Sequence, residues 1–296
     1  MEMVHFIPSS QRRLALLAAQ ADSAPVLIYG ATGTGKGAIA RWIHSNGPRA
    51  ARIFLVATQE KPLADQILEA QGGTLMIPEM GEWNFSEQKV LLGYFKTKSV
   101  IRNEDEDTSR NVSANIPANV PVIANVRIIG TTSQALEGRA QGGLFNIELL
   151  EKLNVFRIEM PALAKRTSEF DDIVMGIVGE ITRELHKEHL KVVSHEAWAR
   201  LKSYDWPGNL RELRNVLRIA IASSKGDQIE ISDLPDFGFA RIDFRATREQ
   251  FEKIYILELL KTFNWEIDKT CKMSRMDKSI LLSKIKHYGI TVEHTD

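Results

Sequence analysis

Residues 30–36 read Gly-Ala-Thr-Gly-Thr-Gly-Lys, a spacing that can do phosphate chemistry. Glycines let a backbone curl until its N–H groups face phosphate oxygens. A lysine at the end of the loop reaches the β and γ phosphates, and a following helix N-terminus adds positive potential. The candidate nucleotide cradle is therefore Gly30, Ala31, Thr32, Gly33, Thr34, Gly35, Lys36 and Gly37. The expected cofactor is ATP or ADP. Magnesium is less well provided for. The residue after the lysine ordinarily carries a hydroxyl that holds the metal, and here it is Gly37. The hydroxyls of Thr32 or Thr34 are the available substitutes.

Phosphate-bond hydrolysis also needs an acidic pair at the end of a buried strand. Residues 72–79 read Gly-Gly-Thr-Leu-Met-Ile-Pro-Glu. Glu79 stands at the position of the base, either as a relic of the catalytic group or as a simple surface acid. Pro78 holds the metal-ligand position, and proline offers no side-chain ligand. No metal-ligand set is assigned.

These residues need strands that end at the loop and helices that start after it. Residues 24–30 predict a buried strand and 37–45 a helix. Short apolar runs at 52–57, 74–77, 122–131 and 153–158 predict further strands. Such alternation indicates an α/β domain with a mostly parallel sheet. Residues 98–121 hold the acidic run Glu104, Asp105, Glu106, Asp107 and two prolines, and read as an exposed loop. From 171 onward the pattern is helical, with Ile173, Ile177, Ile181 and Leu185 four apart. Helices are predicted at 194–203 and 210–223, with Asn209 as cap and Glu212 as its reciprocal partner. Residues 171–223 and their turn-rich exit thus form a compact all-helical domain.

The chain has 296 residues with 38 basic and 38 acidic side chains, so no global charge points to nucleic acid. A single cysteine, Cys271, excludes an intrachain disulfide and a zinc finger and reads as a small buried apolar residue. No secretory signal and no apolar run long enough for a membrane span are found, and a cytoplasmic location is expected.

The loop segment at 26–44, the stretch 70–92 and Val-Arg-Ile-Ile-Gly-Thr-Thr-Ser-Gln-Ala-Leu at 126–136 together resemble the Walker A, Walker B and sensor I segments of the bacterial enhancer-binding proteins. These are sigma-54-dependent regulators with a central AAA+ domain. Residues 153–163 with Arg166 resemble the passage to the family's lid. Trp-Pro-Gly-Asn-Leu-Arg-Glu-Leu-Arg-Asn-Val-Leu at 206–217 resembles its sensor II helix. The resemblance runs from about Ile7 to Leu234. It implies an α/β P-loop AAA+ domain with a helical lid subdomain, ring hexamers, and ATP bound between subunits. It places Arg211 near the γ-phosphate, Ser133 at the sensor I position, and Asn146 and Lys152 at the two intersubunit arginine positions. Asparagine cannot neutralise a developing phosphate charge, and lysine lacks the guanidinium fork. The chain between the Walker segments has no room for the family's polymerase-contacting loop. No receiver or sensor domain is expected ahead of the AAA+ part.

From Lys269 to His287 five lysines and one arginine face one acid, Asp277, a local basic excess. Residues 247–290 read as a helix followed by a helix-turn-helix, with Asp277 capping the last helix. Residues 276–290 resemble the recognition helix of the Fis-type DNA-binding domain that ends most family members, which implies a small all-α helix-turn-helix domain. The DNA-contact candidates are Arg275, Asp277, Lys278, Ser279, Ser283, Lys284 and Lys286, with Leu281, Leu282 and Ile285 facing inward. Expected domains are 1–165, 166–236 and 245–296.

The leading reading is a DNA-binding transcription regulator with an ATP-binding AAA+ domain of weak or absent ATPase activity. Its partners would be double-stranded DNA, a homo-oligomer (dimer or ring) and other AAA+ activators, with no membrane. Two alternatives stay open: an active ATPase using displaced metal ligands, and an interaction module that modulates full-length sigma-54 activators.

Overall fold

The computed structural model describes residues 6–101, 120–237, 244–274 and 276–290. The chain divides into two compact units. One holds residues up to Phe170 together with Gly208–Leu210, and the other holds Asp171–Pro207 and the chain from Arg211 onward.

The first unit is built on five parallel strands. They are β1 (Val26–Tyr29), β2 (Phe54–Val56), β3 (Thr74–Ile77), β6 (Arg127–Thr132) and β7 (Phe156–Glu159), in the order β2-β3-β6-β1-β7. A parallel sheet is covered on both faces, and the side chains divide accordingly. Leu27, Leu75, Ile77 and Ile128 enter one core with α3 (Leu63–Glu69), α4 (Phe85–Thr97) and α6 (Ile147–Leu153). Val26, Ile28, Met76 and Ile129 enter the other with α1 (Arg12–Gln20) and α2 (Lys36–Ser45). Gly130 lies inside β6 because Met80 leaves no room there: a Cβ would fall 1.9 Å from its sulfur. The short helix α5 (Leu136–Gln141) follows β6.

The α/β expectation holds, with local corrections. The apolar run 122–131 is two strands in two sheets. Its first part is β5 (Pro121–Ile123), antiparallel to β4 (Ser99–Ile101), and its second is β6. Both ends of the stretch read as a loop at 98–121 are therefore strands, and Glu104–Asp107 lies outside the described residues. Leu153 belongs to α6 and is fully buried, so the strand starts only at Phe156.

The second unit holds α7 (Phe170–Glu184) from its second residue, α8 (His195–Lys202), and α9 (Asn209–Ser223) from Arg211 on. Ile173, Ile177 and Ile181 are wholly buried, as their spacing predicted. Leu185 lies past the end of α7, and His186 turns left-handed with φ +55. Ser194 caps α8 by accepting from the Ala197 N–H. The unit is not all helical: β8 (Val192–Val193) pairs in parallel with β9 (Gln228–Ile229). The Lys187 ammonium donates to the carbonyls of Ile221, Ala222 and Ser224 at 2.8–3.1 Å, satisfying the end of α9.

Three further helices follow: α10 (Phe244–Thr262), α11 (Ile267–Ser274) and α12 (Lys278–His287). They enclose a small core of Ile256, Leu260, Leu281 and Ile290, with the half-buried Cys271 packed against it. Leu282, read as inward-facing, is exposed on α12. Among the described residues no helix is long and apolar enough to cross a membrane.

Candidate nucleotide site

β3, β6 and β1 are neighbours in the sheet, so their C-terminal ends bring three segments together. These are residues 30–36 after β1, Glu79 after β3, and Ser133 after β6. Ligands of open α/β sheets lie at this edge.

Gly30 leaves β1 with φ +151, and a Cβ there would sit 2.1 Å from the Met160 carbonyl oxygen, so no side chain fits. Gly33 and Gly35 take φ +82 and +94, which curls the loop before α2 begins at Lys36. This is the shape of a phosphate cradle. Lys36 is 7% exposed. Its ammonium donates to the carbonyls of Gly30 at 2.8 Å and Ala31 at 3.2 Å and lies 3.3 Å from Glu79 Oε1. Asn209 braces the loop from outside. Its Nδ2 donates to the Thr32 carbonyl at 2.9 Å, and its Oδ1 accepts from the Leu163 N–H at 2.8 Å. The sequence also reads Asn209 as a helix cap with Glu212 as its partner. It opens α9 in the left-handed region, φ +54, with its amide turned to the loop, while Glu212 accepts from the Tyr204 hydroxyl.

Glu79 is held at several points. It sits at φ +43, and its Oε2 accepts from both the N–H (2.7 Å) and the hydroxyl (2.8 Å) of Ser133. Burial pushes its carboxyl up, but the two Ser133 bonds and the nearby Lys36 outweigh this and hold it below the ordinary carboxylate value. Pro78 before it accepts from the Trp83 indole at 2.9 Å.

Magnesium asks for several hard oxygen ligands. Gly37 and Pro78 supply none from their side chains. The buried Thr34 hydroxyl donates to the Ala31 carbonyl at 2.8 Å, and Thr32 is exposed. Among the described residues no group of three or more His, Cys, Asp or Glu could hold a metal. The loop fits phosphate, and neither Gly37 nor Pro78 gives magnesium a side-chain ligand beside it.

Residues 7–115 match the sigma-54 interaction domain family, and residues 165–249 match the AAA+ ATPase lid domain family. The alginate biosynthesis transcriptional regulatory protein AlgB of Pseudomonas syringae pv. tomato is 29% identical over 296 residues, 90% of this chain and 62% of the relative. The nitrogen fixation protein AnfA of Azotobacter vinelandii is 30% identical over 303 residues, 90% of this chain and 54% of the relative. The crystal structure of NtrX from Brucella abortus in complex with ADP superimposes with a TM-score of 0.64 at 26% identity, covering 95% of this chain and 68% of that one. NtrX with ATP gives 0.62. The chain carries a sigma-54 interaction domain and an AAA+ lid domain similar to those of sigma-54-dependent regulators. It spans about three fifths of the length of the curated relatives it matches.

The positions to which the resemblance gives special roles, intersubunit or sensor, have contacts of their own here. Asn146, at the first intersubunit position, caps α6. Its Oδ1 accepts from the Leu149 N–H at 3.0 Å, and its own N–H donates to Gln88 Oε1 at 2.8 Å. Lys152 is exposed on the last turn of the same helix. Arg211 is exposed on the first turn of α9. Ser133, at the sensor position, is spent on Glu79. Between β2 and β3 the chain holds only the seven-residue α3. The buried Gln66 closes the preceding turn by donating to the carbonyls of Thr58 and Lys61 and accepting from the Thr58 N–H, all at 2.8 Å. Sequence reasoning noted the short connection but not this staple.

The C-terminal candidates divide. Asp277 caps α12 through the Ser279 N–H at 3.0 Å and also accepts the Ser279 hydroxyl, and both bonds hold its carboxyl below the ordinary value. Ser283 and Lys286 are exposed. Lys284 is instead half-buried against α10, paired with Glu252, which also accepts from the Tyr288 hydroxyl. Lys278 pairs with Asp268 at 2.6 Å, and Lys269 lies 3.9 Å from Glu266. The charge count over 269–287 left out these three carboxylates because they lie before the counted stretch, so the basic excess is smaller than counted. Arg275 lies outside the described residues.

Proposed function

We propose that this chain is a cytoplasmic transcription regulator whose AAA+ domain binds adenine nucleotide with little need of magnesium and scarcely hydrolyses it. Its C-terminal helices α10–α12 would bind double-stranded DNA. The nucleotide-binding domain is assigned to residues 1–165, the lid to 166–236 and the DNA-binding module to 245–296. The observation that carries this reading is the loop 30–36. Its curled backbone and buried Lys36 keep the phosphate-binding shape beside Gly37 and Pro78, which hold no metal. Crystal structures of the similar NtrX with ADP and with ATP support the nucleotide class.

In this reading the loop's N–H groups hold the phosphates and Lys36 exchanges its carbonyl partners for phosphate oxygens. Bound magnesium would ordinarily neutralise the leaving phosphates, and Gly37 and Pro78 give it no side-chain ligand here. Glu79, tied to Ser133 and Lys36, is not free to take a proton from water. Neither intersubunit position offers a guanidinium to the transition state. Nucleotide would then set oligomeric state, as a dimer or ring, instead of driving work. With only α3 and the Gln66 turn between β2 and β3, the chain would not open sigma-54 promoter complexes by itself. Joining the rings of other AAA+ activators remains compatible with the same features.

Phosphate release from ATP by purified protein tests the reading. Turnover at the level of a Lys36→Ala control is expected. Steady hydrolysis near one per second, abolished by Lys36→Ala, would overturn it.

A further inference from the structure

The position of Glu79 has a consequence for which nucleotide the loop accepts. Its carboxylate reaches the same ammonium that a terminal phosphate would need, with Oε1 3.3 Å from Lys36 Nζ. The side chain is 32% exposed and is held at both oxygens. Oε2 is pinned by two hydrogen bonds from Ser133, at 2.7 and 2.8 Å, and the backbone N–H of Glu79 points to Thr131 Oγ1 at 3.4 Å. Its backbone is held in a left-handed turn between Pro78, whose carbonyl is taken by Trp83, and Met80, which is buried. Turning Glu79 aside would break both Ser133 bonds and the ion pair together.

A bound cation is what normally lets a carboxylate and a triphosphate share such a site, because it is the largest local charge and inverts the local electrostatics. Gly37 and Pro78 remove the side chains that would hold one. A phosphate placed beyond the loop toward Glu79 therefore meets a fixed negative charge with no metal between them. At a few ångströms in a partly buried site, such repulsion is larger than in water. The phosphates held by the loop backbone alone are spared, because the N–H cradle and Lys36 lie on their side.

We infer that Glu79, pinned by Ser133, makes this a site for nucleoside diphosphates that discriminates against triphosphates. The inference rests on the nucleotide-binding reading above and deepens it. Glu79 acts here as a specificity residue and Ser133 as the residue that positions it. Restoring uncharged character at 79 would remove the repulsion while keeping the shape, and removing the Ser133 hydroxyl would free the carboxylate to turn away.

The test is displacement of a fluorescent ADP analogue from the full chain by unlabelled ADP and by ATP, in EDTA. The wild type, Glu79→Gln and Ser133→Ala are compared. The ratio of the two dissociation constants on one preparation does not depend on the folded fraction, so a partly unstable variant still reports. ADP is expected to bind the wild type about tenfold or more tightly than ATP, equivalent to about 1.4 kcal/mol. In Glu79→Gln the ratio is expected to shrink to about threefold or less, chiefly through tighter ATP, with Ser133→Ala between the two. Equal affinity for ATP and ADP in the wild type would overturn the inference and leave the nucleotide reading standing. So would a ratio unchanged by Glu79→Gln. Failure of the wild type to bind either nucleotide would overturn both.

Discussion

Lys36 and Glu79 set the residue scale. The loop 30–36 was legible in the sequence because its glycines and lysine have one common use at that spacing. The sequence leaves the role of Glu79 open, as a relic of the base or as a surface acid. The structure makes it the partner of Lys36 and Ser133, a relation between strand ends more than 40 residues apart in sequence that no local pattern reveals. The bonds of Asn209 to the 30–36 loop and of Gln66 to its own turn have no local signal for the same reason, since an amide serves a distant backbone as readily as its own helix. Because the folded carboxyl of Glu79 lies below its ordinary value of 4.5, its contribution to stability is present above that pH. It is lost as the pH falls through the lower folded value. The melting temperature of the wild type should therefore exceed that of Glu79→Gln at pH 7. The gap should close on acidification below about pH 4.5. A gap that widens in acid would contradict the network.

At the scale of elements, the strands β1 and β3 and the helices α2 and α8 lay close to their sequence-derived bounds, because each has a continuous apolar run or a clear cap. The misjudged elements were those defined by partners. Residues 122–131 are all apolar-rich, yet the chain breaks into β5 and β6 because one part pairs with β4 and the other with β1 and β3. The ladder β8·β9 is only two residues long per strand and leaves no periodic signal. Helix α6 gives Asn146, which the resemblance puts at an intersubunit position, a use of its own: it serves the helix N-terminus. Asn146→Ala should lower stability by about 1 kcal/mol, the usual value of such a cap, read by chemical denaturation. Asn146→Arg should lose the same cap without gaining ATP turnover. A stable Asn146→Ala would show that the cap carries no weight.

The whole molecule combines a phosphate cradle stripped of metal ligands with three C-terminal helices of reduced basic charge. The C-terminal resemblance was legible from residues 276–290, but the pairing of Lys278 and Lys284 was not, since their acids lie on α10 and α11. A truncation ending at Phe237 should lose nearly all binding to duplex DNA. Lys286→Ala should weaken binding and reduce its salt slope by about one, while Lys284→Ala should act mainly by loosening α12 from α10. Fluorescence titrations over a salt series read both effects. A truncation that binds as tightly as the full chain would make α10–α12 a structural appendage.

The central claim is that this cradle works without a metal, and calorimetric titration of the full chain with nucleotide tests it most directly, first in EDTA and then in excess magnesium. The loop 30–36 and Lys36 are intact, and Gly37 and Pro78 supply no ligand. The dissociation constant for ADP or ATP should therefore change by no more than about threefold between the two conditions, under 1 kcal/mol. A gain of about a hundredfold with magnesium, near 2.7 kcal/mol, would show that a metal site exists and would contradict the account.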